Sequence, residues 1–213
     1  FYCHNCQVSL IFPRFLKQFD SGLYEHYLKE KLQDTNHTNI IEEYVNRTQT
    51  IDIQLPSLLE LSKDHIARIY IENRRIPLEF FDDIFLVDKF KEWTNSFIPE
   101  KFDLKFGDET RLIIPFRDQT NIVFGYQGRD LKPNSLLRYI TIMVDETKPK
   151  LWGLHRVNFN YKYYVVEGPF DAMFLPNCIA TAGGKISSDL IKIGCNLANA
   201  VIVYDNEPRN KNI

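Results

Sequence analysis

YYVVEGPFDAMFLPNCIATAGG at 163–184 and AVIVYDNE at 200–207 decide the fold of the last fifty residues. YYVVEG reads as a strand, FDAMFL as a helix, CIATAGG as a second strand, SSDLIKIG (187–194) as a second helix and AVIVYDN as a third strand. β-branched apolar runs alternating with short helices predict a parallel βαβαβ sheet covered on both faces. Ligands gather at the C-terminal strand ends of such a sheet, and two of these three strands end in carboxylates. Glu167 follows Val165-Val166, and Gly168 beside it permits a tight turn and close backbone approach. Asp205 and Glu207 follow Val201 to Tyr204; two residues apart on extended chain, they point the same way. If the two strands are neighbours, three carboxylates converge, and a hard divalent cation such as Mg2+ relieves their repulsion. Asp171 and Asp189 read equally well as ordinary residues of a helix cap or first turn.

Upstream the pattern differs. RLIIPFRD (111–118) and NIVFGYQGR (121–129) are β-rich runs joined through Asp118-Gln119-Thr120-Asn121, which predicts an antiparallel hairpin, and RYITIMV (138–144) adds a third strand. Arg111, Arg117, Arg129 and Arg138 lie on or beside these strands. Facing one groove, they would neutralise phosphates, and Tyr126 or Tyr139 could stack on a base. Taken singly, each arginine reads equally well as a solvated outward position of an antiparallel sheet. Before this block, a helix is expected through HIARIYIENR (65–74), capped by Ser62 or Asp64 and ending before Ile76-Pro77, with another helical stretch over 83–97.

The amino-terminal third is less regular. Apolar residues at helical spacing span 9–33, and Asp20 and Ser21 suit the cap of a second helix there. Residues 34–56 are polar and lack a sustained period, marking the best boundary in the chain. Cys3-His4-Asn5-Cys6 has the spacing of half a zinc ribbon or finger. Cys178 and Cys195 read as small buried hydrophobes. Four cysteines, two in a C-x-x-C pair, fit a cytosolic metal-binding chain better than a secreted disulfide scaffold.

The whole chain, 213 residues with a formal charge of −2, has no global basic field and no apolar run near the ~20 residues of a membrane span. Near-neutrality does not exclude nucleic acid, because carboxylates at a metal site cancel arginines elsewhere. Phe1 falls inside a Cys motif and Ile213 six residues past Glu207, so the chain reads as cut at both ends.

EGPFDA followed by a strand ending in DNEPRNK resembles the TOPRIM domain of primases, topoisomerases and some nucleases. Glu207 stands where that signature has a second Asp; it keeps the charge and reaches farther. EGPFDAMFLPNCIATAGG and YDNEPRNK are most similar to primases of T-even-type phages. Arg111, Pro115, Arg117-Asp118, Gly125, Gly128-Arg129 and Arg138-Tyr139 resemble, in that order, the basic half of the polymerase core of bacterial-type primases. Leu151-Trp152-Gly153-Leu154 resembles the segment leading into the TOPRIM strand, and IARIYIENRRIP the helix that opens the core.

The resemblance implies a mixed α/β chain. It would have a partial zinc-binding module and following helices at 1–34, a linker at 35–56, a basic α+β subdomain at 57–155 and a C-terminally truncated TOPRIM domain at 156–213. It implies a primase making short RNA primers on single-stranded DNA from ribonucleoside triphosphates. Glu167, Asp205 and Glu207 would hold Mg2+ or Mn2+, with Gly168 and Asp171 beside them. Arg111, Arg117, Arg129, Arg138 and Tyr139 would hold template or nucleotide. Cys3 and Cys6 would be two ligands of a zinc ion completed upstream, a replicative helicase a partner, and the host cytoplasm the location. The rival readings are a TOPRIM topoisomerase or nuclease, and a non-catalytic zinc-dependent DNA-binding accessory protein.

Overall fold

The computed structural model describes residues 16, 20, 22–27, 51–135, 137–183, 190, 193 and 195–203. The chain divides into two compact units, residues 1–48 and 49–213. In the first, residues 22–27 are helical, and the Asp20 carboxylate caps them by accepting from Leu23 N at 2.9 Å, as expected for that residue. Cys3, His4 and Cys6 lie outside the described residues.

The second unit is built on two sheets. The first is antiparallel, with β1 (Phe85–Val87), β2 (Arg111–Arg117), β3 (Val123–Asp130) and β4 (Tyr139–Met143) in that spatial order. The second is parallel, with β5 (Tyr163–Val166) at its centre, β6 (Cys178–Ala180) on one side and β7 (Ala200–Ile202) on the other. The expected hairpin and its third strand are therefore present. A register irregularity after Phe116 turns the end of the hairpin, where the Asp118 carboxylate gathers Thr120 N, Thr120 Oγ1 and Ile122 N within 3.1 Å. Lys148 Nζ donates to its other oxygen at 3.1 Å.

Two elements correct the sequence reading. The helix α1 (Ile66–Asn73) is capped by His65, whose Nδ1 accepts from Ala67 N at 3.2 Å. The Ser62 hydroxyl instead accepts from Asp64 N one turn earlier. The expected helix over 83–97 is split into a 3-10 turn (Leu78–Asp83), β1 and the helix α2 (Phe90–Asn95). Phe85-Leu86-Val87 is too short to announce itself as a strand and forms because β2 offers it an open edge. α2 begins where the distant Asp108 carboxylate accepts from Lys91 N and Glu92 N, both at 2.8 Å.

β2 and β3 are buried on both faces. Leu112, Ile114 and Phe116 enter a core shared with Ala67 and Ile71 of α1, with Trp152 and Leu154, and with Val165, Val166 and Ile179 of the parallel sheet. Ile113, Tyr126 and Val123 enter a second core with Phe90 and Ile51, against which Ile53 and Leu55 pack. The end of the polar stretch is thus an extended segment alternating toward that core. Burying such side chains is worth roughly 1.5–3 kcal/mol each, and the first core joins the two sheets. Trp152 also exchanges two backbone hydrogen bonds with Ala180, at 2.9 and 3.1 Å. Gly153 follows at φ 91, where a Cβ would lie 2.8 Å from Cys178 O, so only glycine lets the segment approach β6. The helix α3 (Pro169–Ala172) follows β5. No helix among the described residues is long and apolar enough to cross a membrane.

α1 ends with Arg75 at φ 58, its N–H donating to Glu72 O while Ile76 N closes on Ile71 O. That left-handed position suits glycine. Arg75→Gly should stabilise the protein by about 1 kcal/mol, read as a rise of a few degrees in thermal midpoint. Asp118 gives a pH signature. Burial pushes its carboxyl up, but the Thr120 hydroxyl, Lys148 and two backbone N–H groups outweigh this and bring it down to about 2. Its stabilising share is complete above the unfolded value near 3.8 and is lost as pH falls toward 2. Asp118→Asn should flatten the loss of stability over that window in denaturant titrations.

Candidate active site

The carboxyl end of β5 carries the acidic residues expected of a site. Glu167 is exposed there, and the loop after β6 is bound to its backbone: Thr181 N donates to Val166 O at 3.0 Å and Ala182 N to Glu167 O at 2.9 Å. Gly168 caps α3, and a Cβ on it would lie 2.5 Å from Asp171 Oδ2, so the Asp171 carboxylate folds back over the glycine. Asp171 sits in the first turn of α3. β7 runs parallel to β5 and beside it, with Val203 N donating to Val165 O at 2.9 Å, which meets the condition of neighbouring strands. Asp205 and Glu207, with Asp189, lie outside the described residues. Among the described residues, no group of three or more His, Cys, Asp or Glu could hold a metal ion.

A basic and aromatic cluster adjoins this edge. Arg129 and Tyr139 are cross-strand partners on β3 and β4, and the Arg129 guanidinium lies 4.4 Å from the centre of the Tyr139 ring. On another side it meets the Tyr70 ring of α1 at 5.7 Å. Arg74, one turn along α1, stands 5.9 Å from Tyr70 and 5.1 Å from Phe170 of α3. Burial raises the Tyr139 phenol above its ordinary pKa; Arg129 and Arg74 pull it back, while Tyr70 and Asp171 push it further. Four side chains, Tyr70 of α1, Arg74 at its C-cap, Arg129 of β3 and Asp171 of α3, therefore share one electrostatic neighbourhood around Tyr139 of β4. Arg129 is only 8% exposed and its Nε has no partner among the described residues. A buried guanidinium with an unmet donor is an unusual cost.

The other candidate arginines are placed differently. Arg111 is 1% exposed and spends its donors inside the protein: Nε and Nη2 on Glu109 (2.8 and 2.7 Å), Nη1 on Gly128 O and Nη2 on Leu137 O. Asp130 lies 4.0 Å away. Arg117 is tied to Asp83 by Nε and Nη2 at 3.0 and 2.8 Å. Arg138 is exposed at the start of β4. The structure thus brings Arg129, Tyr139, Gly168 and Asp171 together and leaves Arg111 and Arg117 in ion pairs of the basic sheet. Tyr70 and Arg74 are additions. Their spacing of four on a predicted helix marks one face, but only tertiary packing shows that this face meets Arg129 and Phe170.

No family model matches the chain. Over 216 aligned residues it is 30% identical to the DNA primase of Enterobacteria phage T4, covering 98% of this chain and 62% of that protein. The resemblance to DNA primases holds. Among solved structures, the catalytic core of the DnaG primase is similar with a TM-score of 0.51 and 19% identity, covering 68% of this chain and 55% of that one. The Aquifex aeolicus primase, with its zinc-binding and RNA polymerase domains, gives a TM-score of 0.51 at 17% identity, covering 96% and 59%. A DnaG primase catalytic domain bound to single-stranded DNA gives 0.51 at 17%, covering 70% and 57%. At these identities the likeness is one of fold: a mixed α/β chain built like primase cores. The chain spans less than two thirds of each of these primases.

The two buried arginines should separate in stability measurements. Arg111→Met leaves the Glu109 and Asp130 carboxylates without their cation and should destabilise by roughly 3 kcal/mol or more. Arg129→Met removes a guanidinium set over the Tyr70 and Tyr139 rings and should cost about 1–2 kcal/mol. Equilibrium denaturation of the two variants checks the order.

Proposed function

We propose that this chain carries the catalytic core of a DNA primase, which makes short RNA primers on single-stranded DNA by nucleotidyl transfer. One observation carries the reading: the Arg129–Tyr139–Tyr70–Arg74 cluster meets Phe170 of the helix that follows Glu167-Gly168, on a chain similar along its length to the phage T4 primase. In this reading the parallel sheet is the TOPRIM domain. A 3′-hydroxyl attacks the α-phosphorus of a ribonucleoside triphosphate and pyrophosphate leaves.

Arg129 and the exposed Arg138 bind phosphates of template or nucleotide, and the half-exposed Tyr139 ring offers a stacking face. The buried Nε of Arg129 has no partner among the described residues, and a phosphate oxygen would satisfy it once the surrounding side chains part. Glu167 is a hard oxygen donor, exposed at a strand end, of the kind that suits Mg2+ or Mn2+. With Asp205 and Glu207 it would hold the ion, and Gly168 lets substrate approach the backbone. When bound, the metal neutralises charge on the reacting phosphate and on the attacking and leaving oxygens. Arg111 and Arg117 support the site by holding the basic sheet in shape. Cys3 and Cys6 belong, in this reading, to a zinc module that reads template. A replicative helicase is the expected partner, and the host cytoplasm the expected location.

The test supplies single-stranded template, four ribonucleotides and Mg2+ to the full-length protein. Short RNA supports the proposal, whereas cleaved DNA means a TOPRIM nuclease or topoisomerase and bound DNA alone means an accessory protein. Glu167→Gln should lower primer synthesis about 10²–10³-fold while leaving single-strand binding near the parent's. Arg129→Ala should weaken binding and reduce its salt slope by about one. Robust synthesis by the Glu167 variant sinks the assignment.

A further inference from the structure

We infer that Gln127 and Thr141 are positioning residues, a hydrogen-bonded relay through which the antiparallel sheet holds the loop after β6 against Glu167. Gln127 and Thr141 face each other across β3 and β4, two residues along from the Arg129–Tyr139 pair and so on the same face. Gln127 Nε2 donates to Thr141 Oγ1 at 3.2 Å, and the Thr141 hydroxyl donates onward to Ala182 O at 3.3 Å. Ala182 N in turn donates to Glu167 O at 2.9 Å. Both backbone polar groups of Ala182 are thus engaged, one with each sheet.

Ala182 needs that restraint. Its φ is 46, a left-handed conformation that residues with a Cβ rarely adopt, and Gly183 follows at φ 83. Two opposed hydrogen bonds keep it there. Gln127 is 4% exposed and its Oε1 has no partner among the described residues, so the side chain sits in the core for what its amide nitrogen reaches. Apolar packing in the shared core sets the spacing of the two sheets only loosely, because hydrophobic attraction has no direction. The relay adds direction: it fixes the face that presents Arg129 and Tyr139 relative to the backbone that carries Glu167. If template and nucleotide are held by one sheet and the reacting phosphate by the other, a shift between them costs rate rather than affinity.

The activity arm rests on the primase reading; the structural arm does not. In the full-length protein, Thr141→Val keeps volume and removes the hydroxyl, Thr141→Ser keeps the hydroxyl, and Gln127→Leu removes the first donor. Thr141→Val and Gln127→Leu should each lower kcat for primer synthesis about tenfold, with KM for ribonucleotides and single-strand affinity within about twofold of the parent. The same variants should speed hydrogen exchange at the amides of Thr181 and Ala182, with thermal midpoints within a few degrees of the parent. Thr141→Ser should restore both kcat and exchange. Parent-like exchange in both variants overturns the relay. Faster exchange with unchanged kcat overturns its role in positioning. If the parent makes no primers, the primase reading fails, and the relay stands or falls on the exchange data alone.

Discussion

Two central strands buried on both faces set the terms for everything around them. β2 and β3 have no solvated side, so the chain must supply an apolar layer above and another below. One layer comes from α2 and the extended segment from Ile51 to Leu55. The other comes from α1 and from the parallel sheet itself, which makes the hairpin the common wall of both halves. Polar side chains on that wall then have few options. Arg111 is neutralised by Glu109 and Asp130, Arg117 by Asp83, and Gln127 finds Thr141. Arg129 meets the Tyr70 and Tyr139 rings, and its Nε has no partner among the described residues.

Much of this was legible from residue patterns. The hairpin, the third strand and the parallel strands all came from apolar runs bounded by turn residues, and these remain readable because strand pairing is dense there. The failures were short or tertiary. β1 has three residues and exists by virtue of a neighbour, and α2 starts where a carboxylate sixteen residues downstream closes it. His65 capped α1 because its ring nitrogen reached the Ala67 amide, a role that residue type seldom plays.

The basic residues show the limit most clearly. Arg111, Arg117 and Arg129 look alike as charges on strands, and sequence alone left each one between groove and solvent. Their neighbours separate them, and two of the three partners, Asp83 and Asp130, lie far away along the chain or across a hairpin. Tyr70 and Arg74 were invisible for the same reason, since a helix face acquires meaning only from what packs on it. Glu167 and Gly168 were easier to place because the strand pattern alone puts them at the carboxyl end of β5, where ligands of a parallel sheet gather.

The short pairing between Trp152 and Ala180 also governs how the parallel sheet can grow. Sheet edges are open templates, and an unprotected one invites another strand, from the same chain or a foreign one. Here Trp152 takes both outward backbone groups of Ala180, and Gly153 lies too close to Cys178 for anything to slip between. β6 is therefore closed to further pairing. A strand added to this sheet has no place beside β6, so that edge is shielded against accidental edge-to-edge association.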